Sequence, residues 1–249
     1  MRLLAGVCLA ALVATTGCAS GSTAQAGTTL TVSAASSLTE AFTALAADFE
    51  AGHPGVDVAL NFAGSSALVE QVNAGAPVDV LATASQQTMD GAVAAGSVID
   101  PVRFARNELI VVVPAGNEAG VSALADLERP DVVTAICAPD VPCGAATAAL
   151  LEDSALTITP STLDPDVKSV LSRVVADEVD AGIVYATDAR AAGTAVLAVP
   201  IPEGMNVSTD YLVALVVDAP EPDLAEEFVA LVNGQAGQST LIQLGFVAP

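Results

Sequence analysis

Residues 29–35, TLTVSAA, alternate apolar and polar positions as a strand does. At Ser36 and Ser37 the period changes, and Leu38, Phe42, Leu45 and Phe49 recur at helical spacing over a helix predicted at 38–51. Ser37 and Glu40 stand three apart, as a capping box requires. AGHPG stops this helix and VDVALNFAG, 56–64, reads as the next strand. Gly64, Ser65 and Ser66 then open a helix through ALVEQVNAG. APVDVLATAS, 76–85, repeats the strand-to-helix pattern, followed by QQTMDGAVAAG. ELIVVVPAG, 108–116, is almost continuously apolar, which suits a strand covered on both faces. VSALADL predicts a short helix, DVVTAICAP a buried strand, and CGAATAALLED a helix beginning at its cysteine. In DPDVKSVLSRVVADEVD, Asp164 is a suitable cap and Pro165 a suitable first helical position. AGIVYATDA (181–189), TAVLAVPI and DYLVALVVD (210–218) are strands, and two helices end the chain.

Strands alternating with helices predict an α/β fold with mainly parallel sheets flanked by helices. The two long apolar strands, 108–116 and 210–218, are spaced as if the chain crosses to a second lobe and returns. On that reading residues 29–107 form lobe 1, completed by roughly 210–249, and residues 108–209 form lobe 2, each of ordinary domain size.

The first residues carry a different signal. MRLLAGVCLAALVATTGCAS has a basic Arg2 and an apolar run from Leu3 to Ala14, too short to span a bilayer, so 1–17 read as an export signal. TTGC resembles a lipobox in which Cys18 is lipidated, with Thr15 where leucine is usual. A cut after AQA at Ala26 would instead release a free protein. Residues 18–28 are small and polar, as a tether should be.

Net charge is −22 and Lys168 is the only lysine, which removes the basic phosphate contacts that nucleic-acid binding needs. Aromatic residues make up only 3% of the chain, so the core is expected to be built from Val, Leu and Ala. Cys137 and Cys143 remain after the signal. In an exported chain they read as a short-loop disulfide, the alternative being a two-thiol metal site with no histidine near it. His53 is the only histidine and sits at a helix end, a place for bonding the last carbonyls rather than for a general base. Nucleotide-binding glycine fingerprints, the G-x-S-x-G elbow and zinc spacings are absent, which disfavours an enzyme.

Four strand-to-helix junctions remain: Ser36/Ser37, Gly64/Ser65/Ser66, Cys143/Gly144 and Pro165 to Val167. In an α/β sheet such junctions lie at the carboxyl ends of the strands, where ligands bind. Each helix start offers free N–H groups and about half a positive charge, so four converging starts suit a dianion without Lys or Arg. Taken singly, each is explained as well by an ordinary cap, and Tyr185 by an ordinary buried aromatic.

AASSLTEAF, FAGSSALVEQVNAGAPVDVLATAS, DVKSVLSRVVADEVDAGIVYATDA and the terminal LIQLGF together resemble the molybdate-binding proteins of ABC transporters, from residue 29 to 249. The resemblance implies a two-lobed type 2 periplasmic-binding fold that closes over a tetrahedral oxyanion. It implies hydroxyl donors at Ser37, Ser65 and Tyr185 and backbone N–H donors at Cys143 and Val167. Cys143 stands where many relatives have alanine, and Leu212 where they often have proline. The doublets Ser36/Ser37 and Ser65/Ser66 leave the register of each donor open by one residue.

The expected function is capture of molybdate, and of tungstate, by a monomeric lipid-anchored protein that passes the ion to a permease and ATPase, with no cofactor and no bond made or broken. A site of donors alone suits fully deprotonated oxyanions, molybdenum entering only as the oxyanion. Hydrogen phosphate would want an acceptor such as Asp166 or Asp188, and sulfate differs in radius. The rivals are a binding protein for another oxyanion or an organic acid, an exported hydrolase on the same scaffold, and a purely structural lipoprotein.

Overall fold

The computed structural model describes residues 27–249; the export signal at 1–17, Cys18 and most of the tether lie outside the described residues. Strand β1 (Thr28–Ala35) is the centre of the first half of the sheet, parallel to β2 (Val56–Ala63) on one side and to β3 (Val80–Thr83) on the other. Helices α1 (Thr39–Gly52), α2 (Ser65–Asn73) and α3 (Gln86–Ala94) connect or follow these strands. The second half repeats the theme with β5 (Thr134–Cys137), parallel to β6 (Thr162–Asp164) and to β7 (Ala181–Tyr185). Its helices are α4 (Pro142–Asp153), α5 (Val167–Val175) and α6 (Ala186–Ala192).

Two long strands join the halves. β4 (Val98–Pro114) pairs antiparallel with β9 (Ser208–Val216) as far as Glu108. From Leu109 it pairs with β7, and from Val111 also with β8 (Val196–Val199). β9 in turn pairs antiparallel with β3. The strand order is therefore β2-β1-β3-β9-β4-β7-β5-β6, with β8 beside β4. Parallel pairing is confined to the neighbours of β1 and β5, where helical crossovers supply it, and every antiparallel pair involves β4 or β9.

The N-terminal part of β4 was not expected to be strand. In VIDPVRFARN, Ile99 to Arg103 are exposed and Pro101 lies inside the first of two register shifts, so the strand character comes from pairing with β9 more than 100 residues away. The predicted cap of α5 also differs. Asp164 ends β6 and accepts from Arg173 Nε at 2.9 and 3.1 Å, while Asp166 caps the helix through Lys168 N and Ser169 N. α4 begins at Pro142, one residue before the cysteine, because proline at the first position forfeits no helical hydrogen bond.

The core is mainly aliphatic, but the few aromatic rings are gathered into one chain of tilted and edge contacts. Phe49, Phe228, Phe42, Phe104, Tyr211 and Tyr185 follow one another with centroids 5.4–6.3 Å apart. The C-terminal helices α7 (Pro222–Asn233) and α8 (Gln235–Gln243) bring Phe228 and the following Phe246 into this chain, against α1 and Tyr211. His53 bonds the carbonyl of Phe49 through Nδ1 and Glu227 through Nε2, each at 2.7 Å. Both ring nitrogens face acceptors, which raises the imidazole pKa, first through Phe49 and then through Glu227.

Candidate binding cleft at the helix starts

The carboxyl ends of β1, β2, β5 and β7 meet where the two halves of the sheet face each other. One cavity there is lined by Ser37, Ser65, Cys143, Val167 and Tyr185, together with Ser36, Gly64 and Asp166. It leaves about 10 Å³ for the centre of a water-sized sphere, which is room for about one water.

Each helix start supplies its donors in a different way. Ser36–Leu38 form a single 3₁₀ turn before α1, and no side chain caps it. The expected Ser37–Glu40 capping box is not formed. Ser37 Oγ instead meets Tyr211 Oη at 2.9 Å, and Glu40 takes both hydrogen bonds of Lys168 Nζ, at 2.7 and 2.9 Å. Charge pairing and a buried phenol outcompete a local cap that would be worth only about 1 kcal/mol. At α2, Gly64 is the N-cap and Ser65 Oγ accepts the N–H of Ala84 at 3.0 Å, so its own proton remains available. Ser66 points elsewhere and donates to Asp140 O at 2.7 Å, which resolves that doublet in favour of Ser65 as the lining residue. Both Ser36 and Ser37 line the cavity.

In α4, Pro142 has no N–H, so Cys143 carries the first backbone donor of the helix. A disulfide joins Cys143 to Cys137 at the end of β5, with the Cα atoms 5.7 Å apart. Gly144 packs so tightly on the carbonyl of Ala138 that no side chain fits there. The cross-link and the glycine together pin this turn. Closing so short a loop lowers the entropy of the unfolded chain by about 2 kcal/mol. Reduction is therefore expected to lower the melting temperature by about 4–8 °C, measurable by calorimetry with and without reductant.

In α5, the carboxylate of Asp166 accepts from Lys168 N at 2.8 Å, Ser169 N at 3.1 Å and Ser169 Oγ at 3.0 Å. The N–H of Val167, one position earlier, is left to point along the helix axis. Tyr185, at the start of α6, is 1% exposed, and its hydroxyl makes no hydrogen bond of good geometry among the described residues, although the hydroxyls of Thr209 and Tyr211 are its neighbours. Burial above all raises its pKa, so it stays protonated and able to donate.

Among the described residues, no Lys or Arg lines the cavity. Lys168 follows Val167 but its ammonium is turned away, between Glu40 and Asp188, whose Oδ1 is 3.1 Å distant. Burial works against its charge, yet Asp188 and Glu40 outweigh that, and its pKa is raised. Asp188 is fully buried, and burial pushes its carboxyl up to about 6 against the opposing pull of Lys168. A carboxyl whose folded pKa is raised favours the folded state below its unfolded value of 3.8, and that contribution is lost as pH rises through about 6. Melting curves of the wild type and of Asp188→Asn should therefore diverge between these limits, the variant gaining on the wild type as pH rises.

Tyr211, Asn107 and the Lys168–Glu40 contact escaped the sequence reading. Their partners are 104 to 174 residues distant, and no local spacing signals them.

A family model described as bacterial extracellular solute-binding protein matches residues 30–247. The molybdate-binding protein ModA of Mycobacterium tuberculosis is 39% identical over 226 residues, covering 90% of this chain and 87% of the relative. Among solved structures, the periplasmic molybdate-binding protein of Azotobacter vinelandii superposes with a TM-score of 0.74 at 20% identity, covering 88% of this chain and 99% of that one. The sulfate-binding protein SubI of M. tuberculosis gives 0.78 at 20% identity, covering 88% and 86%. Both structural likenesses speak to fold alone. The matched family consists of exported binding proteins rather than enzymes, and this chain belongs to it: it is a bacterial extracellular solute-binding protein.

Proposed function

We propose that this protein captures molybdate, and tungstate with it, outside the cytoplasmic membrane and delivers the ion to the permease and ATPase of an ABC importer. The observation that carries the reading is a single cavity lined by Ser37, Ser65, Tyr185, Cys143 and Val167, with no Lys or Arg among its lining residues. Hydrogen bonds from neutral donors to a charged oxyanion are worth about 1.5–3 kcal/mol each, so five would hold a dianion firmly. The 39% identity to a protein named for molybdate binding supports the choice of ion.

Hydrogen phosphate fits less well. Asp188 does not line the cavity, and the oxygens of Asp166 are engaged with the first turn of α5. Titration calorimetry with molybdate, tungstate, sulfate and phosphate tests the reading. Strong heats with the first two and weak ones with the others are expected; tight sulfate binding, or none with any oxyanion, would overturn it.

The two lobes of this reading are residues 29–107 with roughly 210–249, and 108–209, joined at β4 and β9, each of ordinary domain size. They close over the anion, with Lys168–Glu40 and Ser66–Asp140 O as contacts across the gap. Because the surface is strongly negative, added salt should raise or leave unchanged the association rate. Cys18 is the proposed lipid attachment, and Cys18→Ser is expected to move a monomeric protein from the membrane fraction to the soluble one.

A further inference from the structure

The hydrogen bonds behind Ser37 have directions that can be traced outward from the backbone. The N–H of Glu108 can only donate, and it meets Asn107 Oδ1 at 3.0 Å. The other arm of that amide is therefore its NH₂ group. This group donates to Thr187 Oγ1 at 2.8 Å and to Tyr211 Oη at 3.4 Å. The Tyr211 hydroxyl receives a proton from Asn107 and has one of its own to give, and Ser37 Oγ lies at 2.9 Å, placed to accept it. Asn107, Tyr211 and Ser37 are all buried, so water does not compete, and burial keeps the phenol protonated. With the proton running in that direction, Ser37 has its oxygen engaged from behind and its own proton free toward the cavity. Ser65 is set in the same sense by the N–H of Ala84.

The geometry points to Tyr211 and Asn107 as positioning residues that hold the Ser37 hydroxyl as a donor to the cavity and so set a preference for oxyanions that carry no proton. This rests on the oxyanion-binding reading above and deepens it. A freely rotating serine could turn its lone pair to a protonated oxyanion. A serine already accepting from Tyr211 presents its proton instead, and the proton of hydrogen phosphate is left facing a donor. Asn107 sits one residue before the end of the part of β4 that pairs with β9, and two before the strand begins to pair with β7, so the relay is anchored on the strand common to both halves.

The experiment is a double-mutant cycle by calorimetry with molybdate and with inorganic phosphate at slightly alkaline pH, using the wild type, Tyr211→Phe, Ser37→Ala and the double variant. Tyr211→Phe should weaken molybdate about 3–10-fold and phosphate less, so that the selectivity ratio narrows. In the Ser37→Ala background, loss of the phenol hydroxyl should leave the ratio unchanged. A purely structural role for Tyr211 would weaken both anions alike and act equally in both backgrounds, which would overturn the relay. Asn107→Asp puts an acceptor in place of the NH₂ group and should reverse the chain, diverting the Ser37 proton to Tyr211. Molybdate binding must then fall further than in Tyr211→Phe, and wild-type affinity in a folded Asn107→Asp protein would refute the direction assigned. Should the wild type bind neither anion, the oxyanion reading itself fails, and this inference with it.

Discussion

Replacing Gly64 with alanine is expected to weaken molybdate binding by about a hundredfold or more while leaving the ligand-free melting temperature nearly unchanged, the loss corresponding to about two hydrogen bonds to a charged group. The reason lies across the cleft. Gly64 caps α2 in ordinary extended backbone, so alanine carries no conformational strain there. A methyl group at this Cα would overlap the carbonyl oxygen of Pro165, just before the start of α5. That oxygen belongs to the backbone and cannot swing aside, so the two helix starts must separate. Ser65 on one side and Val167 on the other would then no longer reach the same anion. The clash belongs to the described arrangement of the cleft, and parting of the two proposed lobes would relieve it, so the methyl should oppose closure rather than folding. Calorimetric titration, paired with melting curves with and without molybdate, checks both halves of the statement. Binding within threefold of the wild type would contradict it.

The second large effect concerns Tyr185. Among the described residues its buried hydroxyl has no hydrogen bond of good geometry, and a buried unsatisfied group costs about 1–3 kcal/mol. Tyr185→Phe should therefore stabilise the ligand-free protein, or at least not destabilise it. In the proposed site the same change would remove a hydrogen bond to the anion and should lower molybdate affinity about 10–100-fold. Opposite signs in the two measurements mark a group held in readiness for a ligand. Ser65→Ala offers the contrast. It would remove a proposed donor to the anion and also leaves the Ala84 N–H without its acceptor, so affinity and stability should fall together. If Tyr185→Phe instead destabilised the free protein by as much as Ser65→Ala, the hydroxyl would have a structural role.

The parts of this molecule that were legible in the sequence are those governed by local periodicity. The first strand, the face of α1 carrying Phe42, Leu45 and Phe49, and the strands ending at Ala63 and Tyr185 follow from spacing alone, because neighbouring residues determine them. The start of β4 was illegible because Asp100, Pro101 and Arg103 oppose strand formation locally, and pairing with β9 overrides them. The residues of the cleft could be named from the small and polar positions at helix starts, and from resemblance to a family. What those side chains do in the fold could not be read. Ser37 resembled half of a capping box, yet it is committed to a phenol 174 residues further on. Glu40 resembled the other half, yet it pairs with a lysine 128 residues away. Asp164 resembled a cap and serves as the anchor for Arg173. In the first two cases a partner more than 100 residues away, and in the third one only nine away, displaced a local bond of modest energy through charge or burial.

The central physical claim is that a doubly charged guest is held by neutral groups alone, the nearest ammonium being withheld by Glu40 and Asp188. A crystal structure of the molybdate complex, with the molybdenum located by its anomalous signal, tests this most directly. The account predicts oxygens of the anion at about 2.7–3.1 Å from the hydroxyls of Ser37, Ser65 and Tyr185 and from the N–H groups of Cys143 and Val167. An arginine or lysine side chain against the anion, or a molybdenum peak away from these five groups, would contradict it.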